Sequence, residues 1–592
     1  MATAPGLQQE MNNLSITSTD DYLMVVALDF GTSYSGYAFS FKNAPHEIFA
    51  NHTWESGKYQ LASSKTPTCI VIKKDDPEEY YFGYDAEIEY GDIQTDNDTD
   101  KYFFFEQFKM QLHHRRDISE KMVITDIKDN SMPAVDVFSS AISALKNHVK
   151  GHIKTQGSSI RDEDIKWVLT VPAIWTDRAK VFMRKAAEKA GIRNDRLCIA
   201  LEPESASVYC QHVYRKMDQF GVMSGPVIVK QGVQYLVVDI GGGTVDIVVH
   251  EKEVHDRVKE LCRPSGSAYG GTAVDREFKN MLEEIVGVTV MDKLKKEFTS
   301  NYFDLVRGFE IFKRNIGNRR RNKLNLQIPV AAFDILCHKI SNKPLSQLLQ
   351  ESEYAQKVSL ITDKLQMDKD LVKSFFNNAI SKIIEEINIS LNEARPATVT
   401  KFLLVGGFSE SDIVQKAIKE AFPNKEVIIP DDPTLAVVKG AVLYGHRSDF
   451  ISSRCTRFAY GRRILPVFDG SVHNLRKSVK VSGKQRCKDI FDCFKEKDEH
   501  CPVGTEVCRP YHTIEDMQKS ITVAVFVSDH HETRYVDEDG CEKLGDVTVN
   551  IPTPSMNRQY VDVKFVFGGT ELVVTAKVRG SNEEIKESFN LI

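Results

Sequence analysis

The sequence predicts an α/β fold of two facing lobes, followed by an all-β domain, and three observations support this prediction. Residues 24–41 and 235–250 share one order of features: an apolar strand, an Asp-x-Gly turn and a second β-rich run. Strand-like and helix-like segments alternate through much of the chain up to about residue 450. Beyond that point, Val- and Thr-rich runs alternate apolar and polar residues. The two similar segments indicate a duplicated unit whose copies face each other across a cleft.

The two similar segments are predicted to be β-hairpins, because a β-rich run follows each glycine turn. Asp29 and Gly31 mark the first turn, and Asp239 and Gly241 mark the second turn, 210 residues later. In a P-loop or a Rossmann fold the glycine turn opens a helix instead. The pattern therefore separates this chain from both of those nucleotide-binding folds.

The remaining segments predict further strands and helices by their apolar spacing and their Gly and Pro stops. Strands are predicted at 167–171, 197–201, 402–405 and 427–429, and helices at 177–190, after Glu202, from about 409 and at 436–444. Between about 272 and 393 the pattern is mostly helical, and spacings of three and four predict helix over 358–391. A sandwich of short strands is predicted from the runs at 520–527, 546–551, 561–567 and 572–578.

The composition is that of a folded protein, since 42% of the 592 residues are hydrophobic and 27% are charged. These values exclude a mainly disordered, collagenous or membrane chain. The net charge of −6 argues against nucleic acid as a partner, because phosphate binding needs surplus Lys and Arg. No segment approaches the roughly 18 consecutive apolar residues of a membrane span, so none is expected.

The first 21 residues are polar and carry no periodicity, which predicts a loose tail. They lack both a basic start and an apolar stretch, so they do not read as a signal peptide. Eleven cysteines in a chain without that signal are expected to be mostly reduced thiols. We therefore expect a cytoplasmic protein, with the nucleus as the alternative.

Both glycine turns carry residue types that suit phosphate binding. A glycine lets backbone N–H groups approach phosphate oxygens with no Cβ atom in the way. Two opposed cradles of this kind suit a triphosphate held between two lobes. The alternative is that the glycines only make hairpins and the aspartates only cap turns. The first cradle would consist of Gly31, Thr32 and Ser33, and the second of Gly241, Gly242, Gly243 and Thr244.

Three aspartates accompany the two turns. Asp29 and Asp239 stand where a magnesium ion would lie beside the phosphates. Magnesium keeps most of its waters, so these carboxylates are expected to bind the ion through water. Asp246 follows the second turn and would orient an attacking water.

Six separated motifs lie at residues 26–34, 171–175, 201–206, 239–246, 269–271 together with Asp275, and 404–409. They resemble those of the 70-kilodalton heat-shock chaperones, within the actin/hexokinase/heat-shock ATPase superfamily. Their divergent type-12 branch is the most similar. The resemblance covers about residues 22–448 and implies a two-lobed actin-like ATPase fold with duplicated ribonuclease-H-like subdomains. It also implies ATP or ADP with Mg²⁺ as cofactors.

The resemblance implies roles for further residues. Glu202 would help place the water shell of the metal, and Lys109 would offset charge on the transferred phosphoryl group. For Lys109 the alternative is an ordinary surface lysine, and for the adenine clamp it is an ordinary charged helix face. The clamp would consist of Glu310, Lys313 and Arg314, and the other implied nucleotide-binding residues are Tyr34, Gly270, Gly271, Gly406, Gly407 and Phe408.

The resemblance also divides the chain into domains. It implies a tail at 1–21, a nucleotide-binding domain at 22–448 with a helical insertion at about 272–394, and a partner-binding, β-sandwich-like domain at 455–592. Residues 448–455 lack the leucine-rich acidic linker of these chaperones. We expect no helical lid and no acidic tail motif after the β-domain, because the sequence stops at Ile592.

The leading hypothesis is an ATP-binding, chaperone-like protein whose slow ATP hydrolysis is coupled to protein binding. Its β-domain would hold protein clients or signalling partners, and its oligomeric state stays open. The alternative is a non-cycling, ATP-gated binding scaffold with little or no hydrolysis, motivated by the weak linker and the missing lid. A sugar or metabolite kinase would leave the β-domain unexplained, and an actin-like filament is the least favoured alternative.

Overall fold

The computed structural model describes residues 22–588, apart from 52–53, 55–62, 114, 116–117, 120, 156–159, 220–227, 318–320, 396–397, 482 and 581–583. The tail predicted at residues 1–21 lies outside the described residues. The described chain is a mixed α/β protein with several sheets, in agreement with the predicted α/β class.

The first part of the chain contains eleven strands and four helices among its described residues. The strands are β1 (Met24–Phe30), β2 (Tyr34–Phe41), β3 (Phe49–Ala50), β4 (Thr66–Pro67), β5 (Cys69–Lys73), β6 (Tyr80–Phe82), β7 (Tyr102–Glu106), β8 (Val123–Thr125), β9 (Ser131–Pro133), β10 (Ile165–Val171) and β11 (Leu197–Leu201). The helices are α1 (Tyr84–Thr95), α2 (Ala134–Thr155), α3 (Asp177–Lys189) and α4 (Glu202–Gln219).

The first sheet is built around β1, with the order β11-β10-β1-β2-β3. Strand β1 runs parallel to β10 and antiparallel to β2, and β10 runs parallel to β11. All seven residues of β1 are buried, because helices cover the sheet where its strands run parallel. This burial holds the Asp-x-Gly turn at the end of β1 in a fixed place.

The second part of the chain runs to residue 455. Its strands are β12 (Gln234–Ile240), β13 (Val245–Lys252), β14 (Val258–Glu260), β15 (Ser265–Ser267), β16 (Lys323–Gln327), β17 (Val358–Ile361), β18 (Lys364–Asp368), β19 (Lys401–Val405), β20 (Glu426–Ile428) and β21 (Ile451–Cys455). Its helices are α5 (Thr272–Val286), α6 (Val288–Glu297), α7 (Thr299–Arg314), α8 (Val330–Ser341), α9 (Leu345–Glu351), α10 (Lys369–Ser374), α11 (Asn377–Glu393), α12 (Asp412–Ala421) and α13 (Ala436–His446).

The second sheet has the same arrangement around β12 as the first sheet has around β1. Its order includes β20-β19-β12-β13-β14. Strand β12 runs parallel to β19 and antiparallel to β13, and β19 runs parallel to β20. In both sheets the central strand ends in Asp-x-Gly, with parallel strands on one side and its hairpin partner on the other.

One prediction for the second part is wrong. Residues 358–368 form the hairpin of β17 and β18, not the start of a helix, and β16 completes a three-stranded sheet. The hairpin contributes the buried side chains of Val358, Leu365 and Met367 to the core. A short apolar run satisfies the helical and the strand period alike, so its spacing alone does not decide between them. Helix is present from residue 369 onward, in α10 and α11.

The C-terminal β region, residues 459–588, contains strands and no α-helix among its described residues. The strands are β22 (Ala459–Ile464), β23 (Ser478–Val481), β24 (Lys484–Cys487), β25 (Ile490–Lys495), β26 (His500–Pro502), β27 (Thr505–His512), β28 (Ser520–Ser528), β29 (Cys541–Asn550), β30 (Tyr560–Phe567), β31 (Val573–Val578) and β32 (Glu584–Ser588). Two four-stranded antiparallel sheets, β25-β22-β28-β29 and β27-β30-β31-β32, bury apolar residues from both in one cluster.

Strand β21 connects this region to the second sheet. It pairs in parallel with β14 at Val258 and Ile451, and antiparallel with β26 at Ser453 and Pro502. The chain thus returns to the second sheet at residues 500–502. Residues 451–455, which the sequence suggests as a weak linker, are a strand hydrogen-bonded along both edges.

A buried acid lies beside this strand. Glu260 Oε1 accepts a hydrogen bond of 2.8 Å from the Cys455 backbone N–H. Burial, and next the neighbouring Glu204, raise the pKa of Glu260 to about 8. Its other oxygen is buried and has no hydrogen-bond partner among the described residues. The folded protein therefore favours the protonated form of Glu260.

Replacing this acid should stabilise the protein at alkaline pH. An unfolded chain loses the Glu260 proton near its ordinary pKa, so stability falls as pH rises from about 4.5 towards 8. Glu260→Gln keeps an oxygen for the Cys455 N–H and has no proton to lose. We expect the variant to be more stable than wild type at pH 8 by roughly 2 kcal/mol, with a smaller gain at pH 5. Thermal unfolding midpoints at the two pH values measure this difference.

Glu506→Gln is the matched control, because Glu506 is 55% exposed and pairs with Lys564 on the surface. Its unfolding midpoint should follow that of wild type at both pH values, since exposed ion pairs contribute little. An equal shift for the two variants would contradict the assignment to a buried, protonated Glu260.

Candidate functional site

The two glycine hairpins contact each other. A Cβ atom on Gly242 would lie 2.3 Å from Ser33 Oγ, and one on Gly243 would lie 2.6 Å from Thr32 Oγ1. Neither position has room for a larger residue unless the facing loop moves. Segments 210 residues apart in the sequence are thus in contact, and the glycines permit this close approach.

The register of the hairpins places the acidic residues. Asp239 lies directly opposite Asp246 in the β12–β13 pair. In the first hairpin Asp29 lies opposite Gly36. Directly opposed side chains on an antiparallel pair lie on the same face, so the second hairpin brings two carboxylates together where the first brings one.

The start of α5 holds the second glycine turn in place. Backbone N–H groups of Gly270, Gly271 and Thr272 donate to the carbonyls of Gly243, Gly241 and Gly242, at 3.2, 3.0 and 2.8 Å. The carbonyl groups of all three glycines in the turn therefore accept a hydrogen bond from this segment. Gly270 and Gly271 therefore support the turn from behind, and their N–H groups are already used in these hydrogen bonds.

The turn after β19 closes the site from another side. Gly406 has φ +85°, and a Cβ atom there would lie 2.3 Å from Asp239 Oδ1. Gly407 begins a short 3₁₀ turn, residues 407–410. The Phe408 ring is buried, stacks on Phe376 with centroids 6.0 Å apart, and so supports the turn from the core side.

Lys109 is buried in the site. Its Nζ lies 2.7 Å from Glu202 Oε1, and its side chain is only 2% exposed. The ammonium also lies 5.2 Å from the centre of the Trp175 ring. The alternative of an ordinary surface lysine is therefore wrong. Its position beside Glu202 joins two of the residues predicted from the resemblance.

Asp29 is bonded by two residues that the sequence analysis did not identify. Lys65 Nζ lies 2.5 Å from Asp29 Oδ2. Thr170 Oγ1 donates to Asp29 Oδ1 at 2.8 Å. Burial alone would raise the pKa of Asp29, but Lys65, with smaller contributions from Lys109 and Thr170, holds that pKa below its usual value.

The pKa values of the other three carboxylates are raised. Burial, opposed in part by Lys109, raises the pKa of Glu202 to about 7. Burial and then Glu202 and Asp246 raise the pKa of Asp239 well above its usual value. Burial also raises the pKa of Asp246, which accepts a 3.1 Å hydrogen bond from the Ile174 N–H. The shifts have one physical cause: buried negative charge that nearby cations do not offset.

Among the described residues no group of three or more His, Cys, Asp or Glu side chains could hold a metal ion directly, so a divalent ion would be held here through its waters. Asp239 and Asp246 are buried carboxylates, and among the described residues no Lys or Arg forms an ion pair with either. Carboxylate oxygens are hard ligands of the kind that Mg²⁺ takes, directly or through its waters. The residues present therefore suit the ion that the sequence predicts.

The predicted adenine clamp is part of a larger ionic group. Glu310 accepts hydrogen bonds from the Tyr34 hydroxyl and from Arg307 Nη1, and Arg314 Nη2 donates to it at 2.7 Å. Burial would raise the pKa of Glu310, but Arg307 and then Arg314 lower it to about 2.

Lys313 is turned towards α5. Its Nζ donates to Asp275 Oδ1 at 2.5 Å and to the Gly271 carbonyl at 3.0 Å.

Arg307 and Glu87 form an ion pair with each other, and the sequence analysis did not identify either of them. Arg307 lies one helical turn before Glu310, and that i to i+3 spacing is the signal that could have found it.

The mixed α/β fold is consistent with the class of proteins that the sequence motifs resemble, the heat-shock 70-kilodalton type. Comparison with known proteins gives the same result. Residues 229–432 match a family described as "Domain of unknown function (DUF8340)". The chain is 30% identical to human heat shock 70 kDa protein 12A, over 98% of its own length and 93% of that protein.

Two further relatives define the family. The chain is 30% identical to human heat shock 70 kDa protein 12B, over 96% of its length and 91% of that protein. It is 24% identical to the chaperone protein DnaK of Thermotoga petrophila, over 77% of its length and 66% of that protein. The chain belongs to the heat shock 70 kDa protein family, in the branch that contains proteins 12A and 12B.

Within the described residues, no helix combines the length and the apolar character that a membrane crossing requires.

The close approach at Gly406 gives a testable consequence. Gly406→Ala should destabilise the protein for two reasons, the positive φ and the clash with Asp239. Gly287→Ala is the matched control, because Gly287 has φ +92° and ψ 145°, close to the φ +85° and ψ 158° of Gly406, but open space around a Cβ atom. Strain at a positive φ costs roughly 1–2 kcal/mol, so the control isolates that cost. Chemical unfolding should show a larger loss for Gly406→Ala, and equal losses would contradict the contact.

Proposed function

We propose that this protein is an ATP-binding, chaperone-like protein of the heat-shock 70-kilodalton type with slow ATP hydrolysis. The two similarly ordered sheets would be the ribonuclease-H-like subdomains of a two-lobed, actin-like domain at residues 22–448, with an insertion at about 272–394. Residues 455–592 would be the domain that holds protein partners. The contact of Gly242 with Ser33, which brings two distant glycine turns together, is the observation that carries this proposal.

The glycine turns would hold the phosphates. Gly31, Thr32 and Ser33 would line one side, and the turn from Gly241 to Thr244 would line the other. Ser33 Oγ supports this assignment, because it is shielded from solvent and has no hydrogen-bond partner among the described residues. A buried hydroxyl without a partner costs free energy, and a phosphate oxygen would supply the partner.

Two residues would act on the reacting groups. Asp246, held by the Ile174 N–H, would orient the attacking water. Lys109, held by Glu202, would offset the negative charge that grows on the transferred phosphoryl group. A bound Mg²⁺ would supply charge neutralisation at the phosphates, held through water by Asp239 and its neighbours.

The clamp residues would contact the adenosine end. Arg314 lies over the Tyr34 ring, 5.5 Å from its centre, and both bond Glu310. Gly406 and Gly407 would let the nucleoside approach the backbone on the opposite side. In this assignment, Lys313 and Phe408 would support the wall of the adenosine pocket.

Contacts at the junction would couple the nucleotide to the C-terminal β region. Arg457 Nη1 donates to the carbonyl of Ile174, and the N–H group of the same residue donates to Asp246. Arg454 binds both oxygens of Glu204, at 2.7 Å each. Glu204 lies two residues after Glu202 at the start of α4. A shift at the site would therefore reach the β region through short, direct contacts.

The alternative is a scaffold that binds ATP without cycling. The pairing of β21 along both edges favours it, because a strand fixed in this way does not provide a free linker. Hydrolysis measurements separate the two functions.

Single-turnover ATP hydrolysis in Mg²⁺ tests the roles of Asp246 and Lys109. We expect Asp246→Asn and Lys109→Met each to slow hydrolysis by about 100-fold or more, because each removes a group aimed at the transition state. ADP binding should persist in both variants. Lys146→Met is the control, since Lys146 is a buried lysine bonded to the Ala190 and Gly191 carbonyls, outside the site. Unchanged rates in both site variants would refute the catalytic assignments, and a wild type that binds ATP tightly without detectable hydrolysis would support the scaffold.

Limited proteolysis with and without ATP tests the coupling. We expect ATP to change the cleavage rate within the C-terminal β region of the wild type. Arg457→Met should reduce that change, because it removes the bond to the Ile174 carbonyl. Arg579→Met is the control, since Arg579 pairs with Asp562 on the surface. If Arg457→Met responds to ATP as the wild type does, this contact is not the route.

A further inference from the structure

Lys65 is a second buried lysine of the candidate site, and it lies outside all six motifs of the resemblance. Its side chain is 14% exposed, and its ammonium lies 2.5 Å from Asp29 Oδ2. Thr170 holds the other oxygen of Asp29 at 2.8 Å. Both carboxylate oxygens of Asp29 are therefore already bonded by protein groups.

The charges of the site are divided unequally between the hairpins. Lys65 pairs with Asp29, and Lys109 pairs with Glu202. In the part of the chain that the structure describes, no ion pair reaches the two carboxylates of the second hairpin, which face each other across β12 and β13. The negative charge that still needs a cation lies on the second hairpin.

We propose that Lys65 is a fixed cation of the nucleotide site. It neutralises Asp29, so that a divalent ion is anchored from the Asp239 side, and it binds the phosphates when no divalent ion is present. This inference rests on the proposed function. The sequence predicts that Asp29 and Asp239 both hold the metal ion. In this proposal Asp239 holds the metal ion, and Asp29 is paired with Lys65.

The chemistry of the ammonium group supports both parts of this role. An ammonium carries three N–H donors, so its bond to Asp29 leaves capacity for a phosphate oxygen. Asp29 fixes the lysine in position, because the pair is buried and screened little by salt. A carboxylate that already accepts from Lys65 and Thr170 has less capacity for the waters of a metal ion.

Calorimetric titration of ADP in Mg²⁺ and in EDTA tests the proposal on the full chain. For the wild type we expect ADP affinity in EDTA to lie within about tenfold of that in Mg²⁺. Lys65→Met should lose at least about another tenfold in EDTA, because a positive charge beside the phosphates is gone. Lys65→Arg should keep most of the affinity in EDTA. Lys146→Met, a buried lysine outside the site, should behave as the wild type.

The double variant Asp29→Asn/Lys65→Met removes the ion pair without changing the net charge, and it guards against a misfolded single variant. We expect it to bind ADP in Mg²⁺ as the wild type does, because the anchor at Asp239 is intact, and to bind weakly in EDTA. A loss of more than about tenfold in Mg²⁺ would show that Asp29 anchors the metal and would overturn the proposal.

Two other results have distinct meanings. If Lys65→Met binds ADP in EDTA as well as the wild type, the role of Lys65 is wrong while the proposed function stands. If the wild type binds no adenine nucleotide in either condition, the proposed function fails and the inference fails with it.

Discussion

Four carboxylates buried where two hairpins meet impose the main electrostatic constraint on this structure. Burying an ionised carboxylate is costly unless a cation or hydrogen bonds compensate it. Lys65 and Lys109 compensate two of the four, and the raised pKa values of Asp239 and Asp246 show that the remaining charge is not offset. The close glycine turns maintain this concentration of charge. In the proposed function, this remaining charge would attract a cation together with the anion that accompanies it.

The same short elements carry the candidate chemistry and the attachment of the C-terminal β region. The first turn of α4 has Glu202 towards Lys109 and Glu204 towards Arg454. Ile174 bonds Asp246 through its N–H and Arg457 through its carbonyl. Because Ile174 itself contacts both Asp246 and Arg457, no long chain of residues is needed between the candidate site and the junction.

Local patterns were enough to predict much of the fold. The two hairpins, β10, β11 and α3 follow from apolar runs with clear Gly and Pro boundaries, and the structure confirms them. The hairpin of β17 and β18 was missed because its apolar spacing satisfies two periods at once. In the site, residues within motifs were predictable from sequence. Lys65 was not, since it is 36 residues from Asp29 and only the folded chain brings the two together.

The return of β26 to the second sheet affects how such a protein could evolve. A module that is joined through one tether can be exchanged by a single recombination event. In this protein, replacing the chain after about residue 455 would also remove β26 and leave the backbone donors and acceptors of β21 exposed along one edge. An exposed strand edge is prone to pairing with other chains. An exchanged module would have to bring its own matching strand. The β region is therefore expected to diverge residue by residue in place, and not to be swapped whole.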